Sequence, residues 1–280
     1  MKIKILGSGG CTCLPRPACN CGICHEAREK GKPFARNGCS IYIEDINLLV
    51  DTPEDIVESL NYHKIMTVDS VIYSHWDPDH TSGMRVFEQL RIDWAKVSIG
   101  IENDNPINVY TLPQVCEDIK KIQNKYGSYL GYYQDVRNLI KINPVESNLQ
   151  IQDIRITFVP VGEATVFVFE QNDKKLIYAP CDVKPFPESD VFHNSDLMII
   201  GSTIPVDTIK NDFLVEQSNP LWTEFFSMDE IMELKSKYNI DKVVVTHLEE
   251  EWGLSYTDYE ELAKEYDAIT FAYDGMNVEV

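Results

Sequence analysis

Six residues constrain the fold of this chain more than any other stretch. They are His75-Trp76-Asp77-Pro78-Asp79-His80, placed directly after the apolar run DSVIYSH (69–75) and just before SGMRVFEQL (82–90). The first flank reads as a buried strand, and the second carries Met84, Phe87 and Leu90 at helical spacing. A strand end holds its side chains rigidly while the turn that follows aims several of them at one point. Imidazole and carboxylate both bind borderline divalent metals, at about 2.0–2.2 Å. Such a density of potential ligands at the end of a strand specifies a metal site and a fold that can present it.

The remaining pattern supplies that fold. KIKILG (2–7), SIYIED (40–45) and INLLVD (46–51) read as strands, and DTPEDIVESLNYH reads as a helix with Asp51 or Thr52 as N-cap and Pro53 at the first helical position. IRITFVPV, TVFVFEQ and KKLIYAP (154–180) read as antiparallel strands. DLMIIGS (196–202), a helix at 228–238, DKVVVTH (241–247), a helix at 256–266 and a final strand-rich segment at 268–280 complete the alternation. Two β-rich halves, each with covering helices, predict an α/β four-layer αββα sandwich in one domain over residues 1–280. Residues 94–148 have the least regular pattern and are expected to form an insertion facing the substrate.

Charge narrows the partners. The chain has 45 Asp+Glu against 25 Lys+Arg, a formal net charge of −20. Phosphate backbones are bound by Lys and Arg, so nucleic acid is an unfavourable partner and a small-molecule substrate is expected. The longest apolar runs, such as LLV (48–50), are too short to cross a bilayer, and MKIKILGSGG has no signal-peptide core. A cytoplasmic protein without a membrane partner is expected, and a homo-oligomer is compatible with the sequence. Five of the eight cysteines fall between positions 11 and 24, and a cytosolic chain more often uses such a cluster for metal than for disulfides.

The motif His-x-Asp-x-Asp-His, followed by Thr81-Ser82-Gly83, resembles the His-x-His-x-Asp-His signature of the metallo-β-lactamase fold superfamily. That resemblance implies two metals. The first would be held by His75, Asp77 and Glu163, the second by Asp79, His80 and His247, with Asp182 bridging. Two of these positions depart from the superfamily pattern, since Asp77 and Glu163 stand where histidines are usual. Carboxylate for imidazole makes the first position harder and shifts its preference towards manganese or iron relative to zinc. The alternative is a weakened first position and a single bound metal.

Cys19-Asn-Cys21-Gly-Ile-Cys24 brings three thiolates close enough to clasp one tetrahedral zinc within a knuckle spanning about 11–39. The same triplet marks a branch that resembles the cyclic phosphodiesterase of the carbon–phosphorus lyase pathway and the pyrroloquinoline quinone biosynthesis protein B. In the phosphodiesterase the fourth zinc ligand is a histidine three residues after the last active-site histidine, where this chain has Glu250. Cys11, Cys13, His25, Cys39 and Glu250 all remain candidates, and an all-thiolate site would favour Cys11 or Cys13. Cys181 reads as a small buried thiol and His63 as a helix-terminal residue. Trp222 and Trp252 either pack or face substrate.

The resemblance implies a dinuclear metal hydrolase acting on a small phosphodiester or cyclic phosphate, with Asp79 and Asp182 orienting a water activated between the metals. An iron-dependent oxidative enzyme and a non-catalytic scaffold with a degraded cleft are the competing readings.

Overall fold

The computed structural model describes residues 1–280, apart from the side chain of Asp212. Two seven-stranded sheets face each other. The first holds β1 (Lys2–Gly7), β2 (Ser40–Ile43), β3 (Leu48–Val50), β4 (Ser70–Ile72), β5 (Ile107–Thr111) and β6 (Ile140–Pro144). The second holds β7 (Asn148–Ile151), β8 (Ile154–Val161), β9 (Ala164–Gln171), β10 (Lys174–Ala179), β11 (Leu197–Ile200), β12 (Lys242–Val245) and β13 (Ile269–Phe271). The last strand, β14 (Asn277–Glu279), returns to the first sheet and pairs antiparallel with β1. The orders are β14-β1-β2-β3-β4-β5-β6 and β13-β12-β11-β10-β9-β8-β7.

Period-2 alternation explains the layering. In β9, Phe167 and Phe169 enter the core between the sheets, while Val166 and Val168 enter a second core on the outer face. The same split separates Leu176 and Tyr178 from Ile177 and Ala179 in β10, and Leu197 and Ile199 from Met198 and Ile200 in β11. A strand apolar on both faces is stable only between two covering layers. The outer layer is supplied by α6 (Met228–Lys237) and α7 (Tyr256–Leu262), through residues such as Ile231 and Tyr259. Both helices start from serine capping boxes, Ser227 with Glu230 and Ser255 with Asp258. On the first sheet, α2 (Ile56–Tyr62), α4 (Val86–Arg91) and α5 (Pro113–Lys120) contribute Ile56, Leu60, Val86, Phe87, Val115 and Ile119 to the main core. Each such side chain contributes about 1.5–3 kcal/mol when fully buried. This is the four-layer αββα arrangement.

The structure alters several details of the sequence reading. Residues 94–148 are not simply an irregular insertion, because they include β5 and β6, two parallel strands that complete the first sheet. The buried–intermediate alternation of INVYT is a half-buried strand pattern that the neighbouring polar loops obscure. The helix after β3 starts at Ile56 rather than at Pro53. Asp51 and Thr52 are unavailable as caps because both are committed elsewhere. The Asp51 carboxylate binds Ser74 and His80, and the Thr52 hydroxyl lies 2.9 Å from the Tyr73 hydroxyl. The helix after the metal motif likewise begins at Val86, with only a short α3 (Pro78–Thr81) inside the motif itself. Among the described residues, no helix is long and apolar enough to cross a membrane.

Candidate metal centre

Parallel strands bring their C-terminal ends to one edge, where loops carry the site. β3 and β4 run parallel in the first sheet, and β10, β11 and β12 run parallel in the second. Asp51 follows β3, His75 follows β4, Cys181 and Asp182 follow β10, and His247 follows β12. Three of these, Asp51, Asp182 and His247, adopt positive φ of 61°, 54° and 54°. Left-handed backbone at a non-glycine residue costs roughly 1–2 kcal/mol, and it turns each side chain sharply off its strand into the cleft. Close packing behind His247 requires Gly201, since a Cβ there would lie 1.7 Å from the Pro180 carbonyl oxygen and 2.6 Å from the His247 Cβ.

Two ligand groups adjoin at this edge. In the first, the potential ligand atoms of His75, Asp77 and Asp182 lie within 4.8 Å of one another; in the second, those of Asp79, His80 and His247 do. The His75 Nε2 is 3.8 Å from Asp77 Oδ2 and 3.9 Å from Asp182 Oδ2. Asp79 Oδ2 is 3.3 Å from His247 Nε2 and 3.4 Å from His80 Nε2, and the two histidine Nε2 atoms are 3.3 Å apart. Glu163 joins neither group. Its Oε2 accepts the Trp76 indole N–H at 3.0 Å, so it braces the motif turn from the β8–β9 loop. The structure therefore brings six of the seven proposed cleft ligands together and sets Glu163 at the rim, with Asp182 beside His75 and Asp77.

The surroundings push these side chains in different directions. Burial lowers the His75 pKa well below the ordinary value, with His80 nearby adding to the effect, which leaves the ring neutral. For His80, burial works in the same direction but the Asp51 carboxylate outweighs it and holds a proton on the ring. Burial raises the Asp79 carboxyl, yet His247 and His80 together depress it far below the usual range. Asp77 is pushed up by burial and then by Asp182 and Asp79. His75 Nε2 is buried and has no hydrogen-bond partner among the described residues. An orphaned imidazole nitrogen beside converging carboxylates is a poor arrangement for a protein alone and a good one for a divalent cation. The donor set fits.

Sequence reasoning missed Asp51 and Cys181 in this role. Asp51 is fully buried; it accepts from the Ser74 backbone N–H at 2.7 Å and the Ser74 hydroxyl at 2.6 Å and lies 2.9 Å from His80 Nδ1. An aspartate closing the apolar strand LLV is the available signal, and a helix cap is the competing role for it. Cys181 groups with His75 and His80. Cys11 lies at the cleft too, grouped with His247 and Glu249, which removes it from the knuckle.

At the knuckle, α1 (Gly22–Lys30) starts just after Cys21 and buries Cys24. Cys19, Cys21, Cys24 and Glu250 form one ligand group, with Glu250 Oε1 at 3.8, 3.4 and 3.1 Å from the three sulfurs. Of the five fourth-ligand candidates, Glu250 is the one placed there. His25 is exposed beside Glu29, Cys39 is buried against Tyr178 and Thr246, and Cys13 faces the Pro15 carbonyl. Lys210 reaches in from a distant loop, its Nζ 2.6 Å from Glu250 Oε1. Trp252 is buried among Ile204 and Val215, and the Trp222 indole donates to the Val215 carbonyl, so both tryptophans pack. His63 does cap α2, but burial and the neighbouring Lys32 lower its pKa, contrary to a charge serving the helix dipole.

No family model matches the chain, and no curated protein matches it. Solved structures do. A diphosphatase of the PhnP family aligns over 100% of this chain and 97% of its own, at 17% identity and a TM-score of 0.72. Zn²⁺-bound PqqB from Methylobacterium extorquens aligns over 100% of both chains, at 18% identity and a TM-score of 0.77. The metallo-β-lactamase fold protein YhfI from Bacillus subtilis aligns over 99% of this chain and 98% of its own, at 15% identity and a TM-score of 0.65. With two facing sheets, covering helices and ligands at the shared strand-end edge, this chain has the metallo-β-lactamase fold.

Proposed function

We propose that the protein is a dinuclear metal-dependent hydrolase of small phosphodiesters or cyclic phosphates. The observation that carries this reading is the adjacency of two ligand groups, His75–Asp77–Asp182 and Asp79–His80–His247, at one strand-end edge. Two divalent cations held there would acidify a water and neutralise phosphate oxygens during in-line displacement. Asp79 stays ionised and, with Asp182, accepts hydrogen bonds from the attacking water. His75 binds as a neutral ring. The first group, with two carboxylates and one imidazole, takes manganese or iron more readily than the second does. Cys19, Cys21, Cys24 and Glu250 hold a structural zinc.

A small substrate follows from two features. A formal charge of −20 repels a long polyanion outside the metal cleft. Beside the metal motif, a cavity of about 410 Å³ is lined by Trp76, Pro78, Met84, Arg85, Ile122 and Tyr133. In this motif His75, Asp77 and Asp79 supply ligands, while the alternate residues Trp76 and Pro78 supply wall. Such a space accepts an organic leaving group of modest size. The solved diphosphatase of the PhnP family supports phosphate chemistry on this fold. The iron-dependent oxidative reading draws on the second group, whose two histidines and one carboxylate match the non-haem iron set, but a lone triad leaves the adjoining His75–Asp77–Asp182 group without a role.

The test is hydrolysis of bis(p-nitrophenyl) phosphate by protein reconstituted separately with zinc, manganese and cobalt. Asp79→Ala and Asp182→Ala should each lower kcat/KM by more than about 100-fold, the upper range for losing a mere supporting group. Wild-type rates in either variant would contradict the site.

A further inference from the structure

Between the two ligand groups lies Cys181, which by sequence alone is a small buried thiol. The ligand atoms of His75, His80 and Cys181 all lie within 4.8 Å of one another. His75 otherwise belongs with Asp77 and Asp182, and His80 with Asp79 and His247, so the Cys181 sulfur stands where the two groups meet. The side chain is almost fully buried, and its polar contact is a long S–H contact of 3.5 Å to Asp182 Oδ1. A thiol that merely packs sits among apolar neighbours; this one sits against imidazoles.

Two independent observations point to a ligand at the same place. The Nε2 of His75, a residue only 1% exposed, is unpartnered among the described residues. Asp182, the residue that chain order offers as the bridge, groups only with His75 and Asp77, and its side chain is 55% exposed. Its Oδ2 lies 3.9 Å from His75 Nε2, on the side of the first group.

From this geometry we propose that Cys181, as a thiolate, is the protein ligand shared by the two cleft metals, and that Asp182 serves the first metal alone. This rests on the two-metal reading above. Binding displaces the thiol proton to solvent, so uptake of metal releases it. A soft sulfur at the shared position offsets the hardness of Asp77 and Asp182 and turns the cleft towards zinc, cobalt or cadmium and away from manganese.

The experiment is cadmium-113 NMR of the full chain loaded with ¹¹³Cd²⁺. A shared sulfur gives two cleft resonances that split each other through a two-bond cadmium–cadmium coupling in the wild type. In Cys181→Ser both cleft resonances should move upfield and lose that splitting. The knuckle resonance, assigned by its loss in Cys21→Ser, should stay in place and shows that the variant is folded. Two cleft resonances that are uncoupled in the wild type, or a cleft resonance unmoved in Cys181→Ser, would overturn the shared thiolate while leaving the dinuclear site intact. Only a knuckle resonance, in wild type and variant alike, would overturn the dinuclear reading and this proposal together.

Discussion

The carboxylate of Asp51 lies 2.9 Å from Nδ1 of His80, and both side chains are fully buried. The contact fixes the ring orientation of His80 and leaves its Nε2 facing Asp79 and His247. A carboxylate that orients a ligating imidazole from behind also makes it a better donor. Asp51 in turn is held by the backbone and hydroxyl of Ser74, the residue before His75. One aspartate therefore positions ligands of both groups.

Asp51→Asn preserves shape but turns an amide NH₂ towards groups that are themselves donors. Metal affinity of the cleft is expected to fall by about 10–100-fold, measured by competition with a chromophoric chelator. Knuckle zinc should be unaffected. An unchanged cleft affinity would mean that His80 does not need this partner.

The knuckle makes an electrostatic prediction. Three thiolates, one carboxylate and Zn²⁺ sum to a formal −2, and Lys210 and Arg16 are the cations beside Glu250, with Arg16 Nη1 at 3.8 Å. Lys210→Met should therefore weaken zinc retention by roughly 10-fold, of the order seen when a second-shell partner is lost. Cys21→Ser should release the knuckle zinc altogether and lower Tm. Both are read by zinc release to a chelator, and equal retention in Lys210→Met and wild type would contradict the charge argument.

Asp274 ties the first loop to the rest of the cleft wall. It is buried and accepts from the Ser8 backbone N–H and hydroxyl and the Asn37 N–H, each at 2.9 Å, with Lys32 Nζ at 3.2 Å. Asp274→Ala leaves three donors without this acceptor and Lys32 with Glu58 as its remaining partner, at a cost of about 3–5 kcal/mol in urea unfolding. A loss below about 1 kcal/mol would show that water replaces the carboxylate.

Stability should also carry a pH signature at Asp55. Burial pushes this carboxyl up from 3.8 to about 6, against the lowering effect of the Gly38 N–H it accepts. The folded state then holds a proton that the unfolded chain has released, so stability falls as pH rises from 3.8 through about 6. Asp55→Asn keeps an acceptor for Gly38 and removes that loss. The variant should exceed wild type by at most about 3 kcal/mol at pH 7, converging with it near pH 3. A gap independent of pH would refute the assignment.

How much of this was legible in the sequence depended on whether the information was local. The strands of the second sheet were readable because each alternates over several residues, and the motif at 75–80 was readable because its ligands lie within one turn. β5 and β6 were not, since INVYT and IKINP are short and interrupted by polar residues, and their partners lie far along the chain. Asp51 looked like a helix cap because its acceptor role depends on His80, 29 residues away. Glu163 matched a ligand position by order alone, and the β8–β9 turn carries it to Trp76 instead. Chain order likewise could not separate Cys181 from Asp182, adjacent residues on the turn after β10.

Metal stoichiometry tests the central claim most directly. Protein prepared without chelator or nickel affinity resin would be reconstituted, desalted and analysed by mass spectrometry of its metals beside its protein concentration. The account expects about one knuckle zinc and about two cleft metals per chain, falling to about one in a combined His75→Ala and His247→Ala variant. About one metal per chain in the wild type, unchanged in that variant, would mean that the cleft does not hold a metal pair.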